Sequence, residues 1–345
     1  MTGFLALEDG TVFRGESVGA GGTAFGEAVF TTSMSGYQET VTDPSYAGQI
    51  VCFTAPMVGN YGVAEERSQS DRVHATGVVM REARGPGWTE WLLERGIVAL
   101  SGIDTRSVVL HLRERGAMRA AAVSGEAGLD EVLVAVRAQP SMEGAALVAG
   151  VSPAAPYTHS DAGAARIAVV DYGVKRSILE LLERNGAAVD VFPHDVDADT
   201  LAGYDGVLLG NGPGDPAPLV DETRVVRELL GRTPVLGVCL GHQLLALATG
   251  HETFKLPFGH RGANHPVLDH GSGRVLVTSQ NHGFAVVPGS GEGVTHTSLY
   301  DGTVEGLHFP ALQARSAQFH PEASPGPHDG ASIVADWVEE LSANA

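Results

Sequence analysis

Over the first 160 residues, apolar positions come in short strand-like runs separated by turn-forming residues. Residues 4–7 and 11–15 flank Glu8-Asp9-Gly10, and these turn residues predict a hairpin. Residues 27–32 and 49–53 read as further strands, the second apolar on both faces. Helical spacing follows over 89–95, over 105–115 with Gly116 closing it, and over 129–138. This half is predicted to be a strand-rich mixed α/β domain spanning 1–160.

The texture changes at Val151-Ser152-Pro153-Ala154-Ala155-Pro156 and stays small-residue-rich through Asp161-Ala162-Gly163, which predicts a linker. From residue 166 the rhythm becomes strand, turn, helix. Strands are predicted over 167–171, 189–192, 206–210 and 235–238, and helices over 177–184, 222–230 and 331–341. Glu339 and Glu340 fall on the wet side of the last helix. Such alternation predicts an α/β domain over 166–345, a mostly parallel sheet with flanking helices and its site beyond the carboxyl ends of the strands.

Composition narrows the function. The net charge is −19 and no Lys/Arg run exists, which argues against nucleic acid or an anionic membrane as partner. No apolar run approaches the roughly 20 residues of a membrane span, and no signal peptide is visible, so a cytoplasmic protein is expected. Only two cysteines occur, far apart, which disfavours a disulfide framework. Cys52 sits in a buried-strand run and reads as packing.

Cys239 is different. It stands in Gly237-Val238-Cys239-Leu240-Gly241, between a strand and a buried helix, the layout of a nucleophile elbow. The two glycines leave room for a sharp turn, and the helix N-terminus favours a thiolate. A thiol nucleophile needs a base, and the base an orienting group. His320-Pro321-Glu322 supplies both: Pro321 favours an extended His320, and residues two apart in an extended segment point the same way. Asn211-Gly212-Pro213-Gly214-Asp215-Pro216 follows a strand and offers unobstructed backbone N–H groups. With the N–H of Leu240, Gly212 forms a candidate oxyanion hole.

These motifs resemble those of class I glutamine amidotransferases, which release ammonia from glutamine through a glutamyl thioester. Ser35-Gly36-Tyr37-Gln38-Glu39, Thr42-Asp43-Pro44-Ser45-Tyr46 and Gly102-Ile103-Asp104-Thr105-Arg106 resemble the N-terminal domain of carbamoyl phosphate synthase small subunits. Residues 258–266, 278–284 and 318–329 extend that resemblance over nearly the whole chain, while the stretch from Ser107 to Leu112 departs from it. The resemblance implies Cys239, His320 and Glu322 as catalytic triad and Gly212 and Leu240 as oxyanion donors. It implies Ser45, Gly214, Gln243, Asn281, Gly283 and Phe284 as glutamine-binding residues. Since Ser45 comes from the first domain, the pocket is expected partly at a domain interface. The resemblance further implies a large subunit as partner in a heterodimer, using ammonia to make carbamoyl phosphate for arginine and pyrimidine biosynthesis. No cofactor is expected in this subunit, and ATP and Mg2+ are expected on the large one. The retained cysteine implies an active glutaminase.

An amidotransferase serving another synthase would share the triad but not the N-terminal motifs, and an idle docking subunit would not need Cys239, His320 and Glu322 together. His251, His260, His265 and His270 suggest a metal site, but zinc ligands usually include cysteines or carboxylates at tight spacing, so no metal is expected. His260 and His265 read instead as turn residues, and His242 as structural. Residues 171–176 lack the P-loop glycine pattern, so no nucleotide site is expected there.

Overall fold

The computed structural model describes residues 2–343. The chain divides into two units, Met1–Ala145 with Pro257–Arg261, and Ala146–Leu256 with Gly262–Ala345.

The first unit begins with strands β1 (Thr2–Leu7) and β2 (Val12–Ser17), paired antiparallel around the predicted hairpin. Asp9 Oδ1 accepts from Thr11 N–H at 2.9 Å, and Gly10 takes a φ of 96° at the turn. Then come β3 (Gly22–Thr31), α1 (Tyr37–Thr42), β4 (Gln49–Phe53), β5 (Gly77–Val79), α2 (Pro86–Glu94), β6 (Val98–Ser101), α3 (Thr105–Arg115), β7 (Met118–Ser124) and α4 (Leu129–Ala138). The seven strands close into a barrel in the order β1-β2-β6-β5-β4-β3-β7. Closure removes free strand edges, which a strand-rich domain must otherwise protect. The apolar run of β4 is buried on both faces. Ile50 and Cys52 join the core with Leu5, Leu100 and Leu112, while Val51 and Phe53 pack with Trp88, Trp91 and Leu92. Burial pushes the Cys52 thiol up to about 12, which fits its role as packing.

The second unit contains β8 (Tyr157–Ser160), β9 (Ala165–Asp171), α5 (Arg176–Arg184), β10 (Ala187–Pro193), α6 (Ala198–Leu201), β11 (Gly206–Leu209), α7 (Val220–Leu229), β12 (Val235–Val238) and α8 (Leu240–Ala248). It continues with β13 (Thr253–Asp269), β14 (Val275–Val286), β15 (Val294–Ser298), β16 (Val304–Phe309), β17 (Ala314–Ala317) and α9 (Ser332–Ser342). Its sheet centre is parallel as the alternation predicts, in the order β10-β9-β11-β12-β17. Adjacent strand residues serve opposite faces. Ala168 and Val170 pack under α7 and α8, and Ile167 and Val169 under α5 and α9. On α9 the buried residues Val334, Trp337, Val338 and Leu341 follow helical spacing, leaving Glu339 and Glu340 exposed.

Three expectations change. Residues 157–160 are not linker: they form β8, antiparallel to β10, and Ser152 Oγ accepts from His194 N–H at 2.9 Å. Val148 joins the core under α7 and α8, so the unit boundary falls after Ala145 instead of near 160. Small residues and prolines reported local irregularity there, whereas hydrogen bonds to β10 decide membership. His260 and His265 lie in the 17-residue strand β13, not in turns. The parallel centre is also extended by antiparallel strands β13 to β16, whose mixed polar and apolar positions hid their strand character.

Candidate active site

Three neighbouring parallel strands deliver the predicted residues to one end of the sheet. Cys239 directly follows β12, Gly212 follows β11 by three residues, and His320 follows β17 by three. This is where side chains of an α/β sheet converge on a ligand. Cys239 N–H donates to Ala317 O at 2.9 Å, tying the elbow to the strand end that carries His320.

The elbow is strained. Cys239 has φ 54° and ψ −101°, outside the ordinary region for a side-chain-bearing residue. The turn is possible because its flanking glycines lie against backbone: a Cβ on Gly237 would come 2.5 Å from Gly241 O, and one on Gly241 2.1 Å from Leu209 O. Cys239 is 2% exposed, and its thiol donates to Asn281 O at 3.6 Å. Leu240 opens α8, so its N–H has no acceptor within the helix. A Cβ on Gly212 would meet Tyr172 O at 2.3 Å and Leu240 Cδ2 at 2.8 Å, so only glycine fits there, against the Leu240 side chain.

His320 Nδ1 and Glu322 Oε1 are 2.7 Å apart, both side chains essentially buried. A carboxylate only accepts, so Nδ1 carries the proton and donates. That leaves Nε2, which has no other hydrogen-bond partner, for the thiol. Burial pushes the His320 ring towards neutrality, but the Glu322 carboxylate and the Cys239 thiol outweigh it and raise its pKa. Burial likewise pushes Glu322 up, yet His320 and Lys175 prevail and hold it below the usual carboxylate range.

Lys175 is the site residue that sequence reasoning missed. Its Nζ donates to Glu322 Oε1 and to Ala323 O, each at 2.7 Å, and its side chain is 4% exposed. Its compact ammonium fits the point where two oxygens converge, a place that a planar guanidinium would overfill. The loop holding it is built by Asp171, whose Oδ1 accepts from Gly173 and Val174 N–H at 2.7 Å. Asn211 completes it, with Oδ1 accepting from Lys175 N–H at 3.1 Å and Nδ2 donating to Gly173 O at 2.9 Å. Asn211 is thus the signal the sequence carried: a polar residue beside a buried turn, read there only for its neighbouring glycines.

Gln243 Nε2 donates to Phe284 O at 2.8 Å and to Gln318 Oε1 at 3.1 Å, joining α8 to the segment that carries Asn281 and Gly283. Gly214 takes φ 91° and bridges Ala146. Ser45 lies in the first unit, on a buried 3₁₀ turn where its N–H donates to Asp43 Oδ1 at 2.9 Å. His242 is fully buried, Nδ1 sits 2.8 Å from Ser316 Oγ, and burial depresses its pKa to about 3, which keeps it neutral and structural. His251 and His270 are engaged separately, with Glu292 O and Thr297 Oγ1. No helix among the described residues is long and apolar enough to cross a membrane.

Comparison with known proteins places the chain in a family. Residues 5–122 match the family model for the carbamoyl-phosphate synthase small chain CPSase domain, and 168–340 that for class-I glutamine amidotransferase. The carbamoyl phosphate synthase small chain of Akkermansia muciniphila is 44% identical, covering 100% of this chain and 98% of that one. The small chain of Xanthomonas campestris is 46% identical over 98% of this chain and 97% of that one. A solved glutamine amidotransferase from Thermotoga maritima covers 52% of this chain and 94% of that one at 17% identity and a TM-score of 0.37, a likeness too distant to argue from. With family models matching both halves and relatives alike over the full length, the chain belongs to the carbamoyl phosphate synthase small-chain family, with a class I glutamine amidotransferase domain.

Proposed function

We propose that this chain is the glutaminase subunit of a glutamine-hydrolysing carbamoyl phosphate synthase and passes ammonia to a large subunit. The observation that carries this reading is a buried cysteine on a positive-φ elbow beside a histidine oriented by Glu322. Cys239 Sγ attacks the side-chain amide carbon of glutamine while its proton passes to His320 Nε2. The N–H groups of Leu240 and Gly212 receive the oxyanion. As the C–N bond breaks, His320 returns the proton to the departing nitrogen, and ammonia leaves a glutamyl thioester. Water, deprotonated by His320, then attacks the thioester and releases glutamate and the free thiol. Glu322 stabilises the imidazolium formed in each half, and Lys175 holds Glu322 in place.

Ser45, Gly214, Gln243, Asn281, Gly283 and Phe284 hold glutamine in this reading. The chain itself uses no cofactor, ATP and Mg2+ belong to the large subunit, and the complex works in the cytoplasm, feeding arginine and pyrimidine biosynthesis.

The test measures glutamate release by the chain alone and with the large subunit, ATP and bicarbonate. Stimulated release with carbamoyl phosphate formed supports the proposal. Release indifferent to the large subunit assigns the ammonia to another synthase. Cys239→Ala in the complex is expected to abolish glutamine-dependent synthesis and leave ammonia-dependent synthesis intact, and normal glutamine-dependent rates would remove Cys239 from its role.

A further inference from the structure

On α3, Arg106, Val109, Leu110 and Arg113 follow i, i+3, i+4, i+7 spacing and share one helix face. With Pro56 and Arg81 they line a cavity of about 430 Å³ in the first unit. The three arginines make no ion pair among the described residues, although the chain carries 41 acidic residues against 22 basic ones. Some arginines find carboxylates, such as Arg84 with Glu82, Arg119 with Glu8, Arg232 with Asp199 and Arg315 with Glu340. Others among the described residues stand alone on the surface, but these three share the lining of one cavity. Asp104, which feels the charge of Arg81, is already committed to the N–H and hydroxyl of Ser107 at 3.1 and 2.7 Å. In a strongly acidic protein, three unpaired guanidinium groups around one cavity mark a place for an anion from outside.

The spacing identifies its kind. Arg106 and Arg113 lie two helical turns apart, about 10 Å along the axis at 1.5 Å per residue. An extended segment, rising about 3.3 Å per residue with every second side chain on one face, spans it with carboxylates four positions apart, about 13 Å, and with the residue midway between them on that same face. Leu110, 45% exposed between the two arginines in sequence, offers an apolar contact that a small oxyanion would leave wet. Exposed arginine beside an apolar side chain is the composition of a protein interface.

We propose that this cavity seats an acidic segment of the large synthase subunit, with carboxylates on Arg106 and Arg113 and an apolar residue on Leu110. The proposal rests on the functional reading above. The test titrates the full-length chain with the large subunit by calorimetry across a salt series, comparing wild type with Arg106→Glu/Arg113→Glu. The double variant is expected to bind about 100-fold more weakly or worse, with a flatter salt dependence, as lost interfacial charge pairs require. Glutamate release by the free chain is expected to stay unchanged, which also reports a folded protein. Arg113→Ala, with an expected loss of about tenfold, serves if the double variant misfolds.

A double variant that assembles as tightly as wild type overturns the proposal. So does saturable binding of inorganic phosphate or citrate to the isolated chain that the double variant abolishes without affecting assembly, because the cavity would then be a small-anion site. If the wild-type chain itself fails to associate with the large subunit, the functional reading falls, and this inference with it.

Discussion

The Lys175 ammonium donates to Glu322 Oε1 at 2.7 Å across 147 residues of sequence, with side-chain exposures of 4% and 0%. The same oxygen accepts from His320 Nδ1 at 2.7 Å. Glu322 is therefore clamped from two sides, and Cys239, His320, Glu322 and Lys175 form a chain of four groups: thiol, imidazole, carboxylate, ammonium. Burial alone would drive this carboxylate towards its neutral form, and His320 together with Lys175 keeps it charged.

Removing Lys175 tests that arrangement. Breaking one side of a buried ion pair costs about 3–5 kcal/mol, because the remaining charge stays buried without compensation. Some of that is recovered here, since His320 still faces Glu322, so Lys175→Met is expected to lose stability at the lower end of that range. Urea denaturation reads the loss. Glutamate release is expected to fall as well, and a variant with wild-type stability and rate would show that the ammonium is dispensable.

The His320–Glu322 pair predicts a pH window for stability. His320 has a folded-state pKa raised above its ordinary 6.5, so its contribution is fully present below about that pH and is lost as pH rises towards the raised value. Glu322 has a folded-state pKa lowered from its ordinary 4.5, so its contribution is present above that value and is lost as pH falls through the lowered one. The unfolding free-energy difference between wild type and His320→Asn is therefore expected to be largest between about pH 4.5 and 6.5. A difference that grows steadily from pH 7 to 9 would contradict the sign of the His320 shift.

Strain at the elbow makes a prediction of its own. With φ 54°, Cys239 occupies backbone space that suits glycine. Cys239→Gly and Cys239→Ala both remove the thiol, and both are expected to be inactive towards glutamine. The glycine variant is expected to be more stable by about 1 kcal/mol, because it relieves a conformation that alanine retains. Thermal unfolding of the two variants side by side measures this, and equal stability would mean that the elbow relaxes once the sulfur is gone.

Much of the local structure was legible because local physics sets it. The run at 49–53, the helices at 105–115 and 129–138 and the strand at 235–238 match their predicted bounds, since each is marked by its own periodicity and flanking turn residues. The pair His320 and Glu322 could be read from two-residue spacing beside Pro321, and Cys239 from the glycines that its turn requires.

What lay beyond reach depends on neighbours distant in sequence. Residues 157–160 became a strand because β10 offers an edge, although their composition is that of a linker. Strands β13 to β16 joined the sheet through antiparallel pairing that no residue among them announces locally. Lys175 became part of the site because the chain orders β9, β11, β12 and β17 side by side, so that the loops after them converge. The sequence by itself determined the elements, the tight turn at Cys239 and the pairing of His320 with Glu322, because those follow from backbone sterics and short-range spacing. The tertiary structure alone decided the unit boundary, the place of Lys175 behind Glu322 and the arginines gathered around the α3 cavity, because burial and charge compensation exist only once remote segments meet.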